Sequence, residues 1–291
     1  MKILVVGADS RLSKILCPVL FEKGHNVIKT SRRDSKDNIF LDLKDVSNFV
    51  VPNNIDAAVI VGGVTSYAEC KNNYKYAYEI NCKSIPLLTE KFFEKKIRVC
   101  FISTNTVFEF NQGVPKETDR LCPGFDYANL KAETETALKK ISMKKNCTNL
   151  LSILRLTKNV SYETPPFDDW IKKIKAKKEF FAFKDLYFAP IRFLDSANSV
   201  EKIINKKAFG IFHLSGEKDI SYSDFAIELL KYLNLNKNLV KSVKSTDIGV
   251  NLIYNHHITS LNMEATTKAI NLKPINLVTV YSYFKKALLN N

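Results

Sequence analysis

Six cysteines stand at Cys17, Cys70, Cys82, Cys100, Cys122 and Cys147, and no two of them form a C-x-x-C pair. Together with His25, His213, His256 and His257 they offer no ligand spacing of the kind that holds zinc, so they are expected to be reduced core thiols, with no metal site. Long apolar runs are missing as well. No stretch approaches the roughly 18 apolar residues of a membrane span, and Met1-Lys-Ile-Leu-Val-Val-Gly7 is too short for a signal sequence. A cytoplasmic protein without membrane contact is the expectation. Arginine is scarce, seven of 44 basic residues, although the formal charge is +14. The lysines, densest at 139–145 and 172–178, are spread over several predicted helices with no nucleic-acid motif beside them. They read as a solvated surface, and nucleic acid is not expected as a partner, although such a positive field would attract a nucleotide diphosphate. Glycine is sparse too, with nine in 291 residues, so the few that follow apolar strands stand out.

The chain does have the means to bury a large core, with 45% hydrophobic and 25% charged residues, as in folded proteins of one or two domains. Met1 to Val6, His25 to Thr30, Ile55 to Val61, Arg98 to Ser103 and Leu150 to Leu154 read as strands of a parallel sheet, the first of them a continuous apolar run. The first runs into Gly7-Ala-Asp-Ser-Arg-Leu-Ser13 and a helix through Gly24, the strand-turn-helix setting of a dinucleotide fold. The second ends in Ser31-Arg32-Arg33, with no Asp or Glu for a ribose 2′-hydroxyl. A hydroxyl with arginines suits a 2′-phosphate, which points to NADP, with NAD as the alternative. The third leads into Gly62-Gly63-Val64-Thr65, where a glycine pair lets backbone lie against a ligand.

The fourth run opens the stretch that carries the chemistry. Thr104 follows its end, and Tyr127-Ala-Asn-Leu-Lys131 lies beyond on a helix marked by apolar spacing through Leu130, Thr134, Ala137, Leu138 and Ile141. Lys131 is thereby one turn from Tyr127. A phenol of pKa about 10 is a poor acid or base at neutral pH, so an ammonium one turn away is expected to favour the phenolate. Thr104 could hydrogen-bond the same carbonyl oxygen that Tyr127 protonates.

Ser103-Thr104-Asn105-Thr106-Val107-Phe108, then Glu117-Thr-Asp119, Pro123 and Tyr127-x-x-x-Lys131-x-x-x-Glu135, resemble the central signature of extended short-chain dehydrogenases/reductases. The branch they resemble is the dTDP-4-dehydrorhamnose reductase-like group of nucleotide-sugar enzymes. In this chain Asn105 and Thr106 replace the group's Asp-Tyr pair, and Glu109-Phe110 its Asp-Gly. The resemblance implies an α/β fold, a Rossmann-type doubly wound parallel sheet with a smaller C-terminal substrate lobe. The cofactor domain would span 1–160, with a returning strand near 210–216, and 161–291 would form mainly the substrate lobe. Thr104, Tyr127 and Lys131 would be catalytic. Gly7, Asp9, Ser10, Arg11, Leu12, Ser31, Arg32, Arg33, Asp42, Leu43, Gly62, Gly63 and Val64 would hold the cofactor with Tyr127 and Lys131. Thr65, Asn105, Thr106, Asn159 and Arg192 would hold the substrate. The group's Gly-x-x-Gly-x-x-Gly turn keeps only Gly7 here, with Ser10 and Ser13 in the other places. An Asn at position 81 is expected to brace the active-site loop, and Arg155 to Val160 to form the loop where nicotinamide meets substrate.

The implied activity is NADP-dependent reduction of a keto-sugar nucleotide of 4-keto-6-deoxy type, in surface-polysaccharide or deoxysugar biosynthesis, with a homodimer left open. One alternative is an epimerase or dehydratase that recycles its cofactor. Against it, Asn105 and Thr106 stand where dehydratases carry acids. The other is a non-catalytic NAD(P)- or sugar-nucleotide-binding protein, favoured by the two serines and opposed by the intact Thr104, Tyr127 and Lys131.

Overall fold

A computed structural model of the protein describes residues 1–33, 36–108, 113–250 and 257–289; Glu109, Phe110 and His256 lie outside the described residues. The five predicted strands become β1 (Lys2–Val6), β2 (Asn26–Ser31), β4 (Ala57–Ile60), β5 (Arg98–Thr104) and β6 (Leu151–Leu156), and a two-residue β3 (Ile39–Phe40) is added to them. Short strands follow: β7 (Lys158–Val160), β8 (Phe180–Phe183), β9 (Tyr187–Phe188), β10 (Pro190–Arg192), β11 (Gly210–Leu214), β12 (Ile220–Ser221) and β13 (Val240–Val243). A seven-stranded sheet takes the order β11-β6-β5-β4-β1-β2-β3, and all of its pairings are parallel. The order reverses between β1 and β4, and the crevice beyond their carboxyl ends is where such sheets bind ligands.

The helices are α1 (Arg11–Glu22), α2 (Tyr67–Asn72), α3 (Tyr74–Tyr78), α4 (Ile85–Glu94), α5 (Asp126–Lys144), α6 (Phe167–Lys175), α7 (Phe193–Asn205), α8 (Tyr222–Tyr232), α9 (Glu264–Ile270) and α10 (Leu277–Leu289). Leu16 and Leu20 of α1 and Val200, Ile203 and Ile204 of α7 cover one face of the sheet. Leu88 and Phe92 of α4 and Leu138 of α5 cover the other. With both faces covered, the central strands β1, β4, β5 and β6 are buried almost throughout and their burial does not alternate. Each fully buried Leu or Phe is worth about 1.5–3 kcal/mol. Beyond residue 160, α7, β11 and α9 all pack with the nucleotide lobe, so more than the expected returning strand comes back to it. The remaining lobe is built on aromatic packing around Phe167, Trp170, Phe188, Tyr222 and Phe225, with Phe188 and Tyr222 stacked 4.1 Å between centroids. Its helix α8 is capped by Ser221, whose hydroxyl accepts from the Asp224 N–H. Among the described residues no helix is long and apolar enough to cross a membrane, and no three His, Cys, Asp or Glu side chains gather as metal ligands.

Arg155 is not in a loop. It is the fifth residue of β6, 1% exposed, and its guanidinium meets the fully buried carboxylate of Glu135 on α5 at 2.7 Å and 3.0 Å. Ser103 donates to the same carboxylate at 2.6 Å, and Nη1 of Arg155 donates to the Glu117 carbonyl. His213 lies against Arg155 at 3.2 Å and the Asn262 carbonyl at 2.9 Å; burial holds its pKa down at about 4, so it is neutral and accepts from the guanidinium. Removing one partner of such a pair strands the other charge in the core. Glu135→Ala should therefore lower the unfolding free energy by about 3–5 kcal/mol, read as a shift in the urea midpoint, and a shift under about 1 kcal/mol would count against this role.

Candidate active site

Gly7 ends β1 with φ +87°, and a Cβ there would lie 2.6 Å from Cα of Gly62 at the end of β4. The two strand ends thus touch backbone to backbone, which no larger residue at position 7 would allow. Gly63, at φ +145°, would place a Cβ 2.8 Å from Oδ1 of Asn81. Asn81 closes a reciprocal pair with Val64, accepting its N–H at 3.0 Å and donating to its carbonyl at 2.9 Å. It stands in a π-helical turn, Glu79–Ser84, and the freed Asn81 carbonyl accepts from Thr134 of α5 at 2.9 Å.

Ser10 and Ser13 keep the turn by another route. Ser10 has φ −66°, which any residue adopts, and caps α1 by accepting from the Ser13 N–H at 3.0 Å. Its own hydroxyl donates to Oγ of Ser13 at 2.8 Å, so the second glycine of the pattern is replaced by a helix cap rather than by an obstruction. Above this turn a trough runs along the carboxyl edge of the sheet. Its first part is lined by Gly7, Asp9, Ser10, Ser31, Arg32, Asp42, Leu43, Gly62, Gly63, Val64 and Thr65. The glycine floor, the helix start and the basic end of β2 suit a dinucleotide. Arg33 is exposed beside this wall without lining it, and Asp42 caps the following turn by accepting from the Lys44 N–H.

The trough continues past Arg11 and Leu12 to Ser103, Thr104, Tyr127 and Lys131. Tyr127, Lys131 and Glu135 recur every four residues on one face of α5. Lys131 is 5% exposed, donates to the Ile102 carbonyl at 2.8 Å and lies 4.5 Å over the Phe101 ring. Burial lowers its pKa to about 8 against the pull of Glu135. The half-buried Tyr127 phenol is pushed well above its ordinary 10, first by burial and then by neighbouring Tyr67, while a hydrogen bond from Thr104 works the other way. The sequence expectation of a favoured phenolate is not met: burial raises the Tyr127 phenol, and the Lys131 ammonium donates to a backbone carbonyl.

Beyond Tyr127 opens a cleft of about 610 Å³, ample for a small-molecule substrate. Thr65, Asn105, Thr106 and Asn159 line it. Nδ2 of Asn105 donates to the Thr259 carbonyl at 2.8 Å, Thr106 Oγ1 meets Thr104 Oγ1 at 3.1 Å, and Asn159 Oδ1 accepts from Ser196. Arg192 is not brought to the cleft. Its guanidinium closes on Asp195, whose carboxylate also takes the Arg192 N–H at the start of α7.

Lys158, within the predicted 155–160 segment, lines the cleft, whereas sequence reasoning missed the rest of the far wall, made of Tyr67, Tyr187, Phe188, Phe193, Tyr222 and Thr259. The aromatic run at Tyr187-Phe188 was a usable signal; Thr259 had none. It is held by Asp219, which accepts from the N–H and hydroxyl of Thr259, both at 2.7 Å, and from those of Ser260.

Residues 1–274 match the family described as RmlD substrate binding domain. The dTDP-4-dehydrorhamnose reductase of Aggregatibacter actinomycetemcomitans is 26% identical over 241 residues, 78% of each chain. Among solved structures, a dTDP-4-dehydrorhamnose reductase from Clostridium acetobutylicum ATCC 824 superposes with a TM-score of 0.81 at 21% identity, covering 99% of this chain and 100% of that one. A dTDP-4-dehydrorhamnose reductase from Bacillus anthracis str. Ames, in complex with NADP, gives 0.79 at 16% identity and 98% coverage of both. With its matched region running from the phosphate turn through the cleft to Pro274, the chain belongs to the RmlD substrate binding domain family.

Proposed function

We propose that the protein is an NADP-dependent reductase of a keto-sugar nucleotide, of 4-keto-6-deoxy type, acting in the cytoplasm in deoxysugar or surface-polysaccharide biosynthesis. The observation that carries this reading is geometric: Thr104 and Tyr127 lie together where the dinucleotide trough meets the second cleft, with Lys131 one turn along the helix. Relatives named as dTDP-4-dehydrorhamnose reductases, one of them in complex with NADP, support it. A dihydronicotinamide, when bound, supplies the hydride. Tyr127 gives its proton to the substrate's carbonyl oxygen, and the Thr104 hydroxyl stabilises the negative charge that gathers there. Lys131, cationic below a pH of about 8, sets a positive charge one turn from the forming phenolate. The aromatic wall of Tyr67, Tyr187 and Phe188 helps to exclude water. Recycled-cofactor elimination is disfavoured because neither Asn105 nor Thr106 is an acid, and the Asn105 amide is committed to Thr259.

Tyr127→Phe should lower turnover by about 10² to 10⁴ while NADPH affinity stays nearly constant, measured by absorbance at 340 nm and by fluorescence titration. If a broad panel of keto-sugar nucleotides gives no Tyr127-dependent NADPH oxidation, the reductase reading is wrong. Lys131 is protonated below its lowered pKa and loses that charge as pH rises, so kcat/KM should fall through pH about 8. A profile flat to pH 10 would remove Lys131 from the mechanism. NADPH should bind more tightly than NADH, and Arg32→Gln should narrow the margin. Tighter NADH binding by the wild type would argue against the 2′-phosphate reading.

A further inference from the structure

The hydroxyl expected to serve a 2′-phosphate is already engaged. Ser31 is 3% exposed, at the carboxyl end of β2, the strand end where doubly wound folds receive the adenosine ribose. Its single hydrogen goes to Oδ2 of Asp9 at 2.5 Å, and its oxygen accepts the Arg33 N–H at 2.9 Å. Asp9 itself is exposed and belongs to the turn after β1, which is tied to the end of β2 by the Ala8 N–H on the Thr30 carbonyl. Asp9, Ser31 and Arg32 line the same part of the trough. The carboxylate absent from the end of β2 is thus supplied from the neighbouring turn.

We propose that Asp9 tempers the cofactor choice, taking a ribose hydroxyl and opposing the 2′-phosphate that Arg32 draws in, so that NADPH keeps only a narrow lead over NADH. This rests on the nucleotide-binding reading of the trough. A carboxylate accepts a hydrogen bond from a 2′-hydroxyl, whereas a phosphate dianion brings only oxygen acceptors and like charge. Arg32 pulls the other way, with a guanidinium suited to phosphate. The selectivity is the difference between these two effects. Asp9→Asn removes the charge and keeps a carbonyl that can accept from Ser31, so the turn survives.

The test uses adenosine fragments, which need neither substrate nor turnover: 2′,5′-ADP and 5′-AMP titrated calorimetrically into wild type, Asp9→Asn and Arg32→Gln, with thermal melts to check folding. Wild type should bind both fragments within a narrow ratio. Asp9→Asn should shift that ratio toward 2′,5′-ADP by on the order of tenfold, and Arg32→Gln should shift it the other way. If Asp9→Asn is unfolded, Asp9→Ser serves as the second neutral variant and carries the same expectation. An unchanged ratio in a folded, charge-neutral variant overturns the role of Asp9 and leaves the reductase reading standing. Wild type that binds neither fragment nor NADPH overturns the nucleotide reading, and this inference with it.

Discussion

The carboxylate of Glu135 has no contact with water, and the site depends on how that charge is satisfied. It collects Arg155 from β6 and Ser103 from β5, while one turn earlier on the same helix Lys131 donates to Ile102. Two consecutive residues of β5 are therefore tied to successive turns of α5, and Tyr127, a further turn along, inherits its position from them. A buried ion pair of this kind adds little net stability against an apolar replacement, yet none of its members can shift alone without stranding a charge. That turns packing, which tolerates small slips, into hydrogen bonding, which does not, and it places a phenol beside Thr104 and Lys131.

The phosphate turn illustrates how a pattern can be altered and its geometry kept. A glycine is needed where φ is positive or where backbones touch, and both conditions hold at Gly7. Neither holds at Ser10, whose backbone is ordinary and whose hydroxyl caps the helix. The serines, taken from sequence as a sign of lost turnover, are better explained by the cap they form. The comparison extends to charge: a missing acid at the end of β2 pointed to a 2′-phosphate, but Asp9 reaches the same place from twenty-two residues away.

Features that depend on local pattern were legible in the sequence. The apolar runs gave the strands of a two-sided sheet because burial on both faces leaves no room for alternation, and Gly7, Gly62 and Tyr127-x-x-x-Lys131 sat at the strand and helix ends where the trough lies. What depends on a distant partner was not legible. Arg192 looks available in sequence until Asp195 takes it, and the lowered phenol pKa expected from Lys131 gave way to burial of the Tyr127 ring, which pushes it up. The return of α7 and α9 to the first lobe has the same origin, since their apolar faces do not say which lobe they cover.

Thr259 and Asn105 meet across 154 residues of chain, through a segment that Asp219 clips into place. On a ribosome, the strands and helices that cradle a dinucleotide would be largely synthesised long before that clip could close. Completion of the cleft is thereby tied to a contact between distant parts of the chain, and that long-range closure makes this part of the fold slow to assemble, since distant contacts must overcome the entropy of the loop between them.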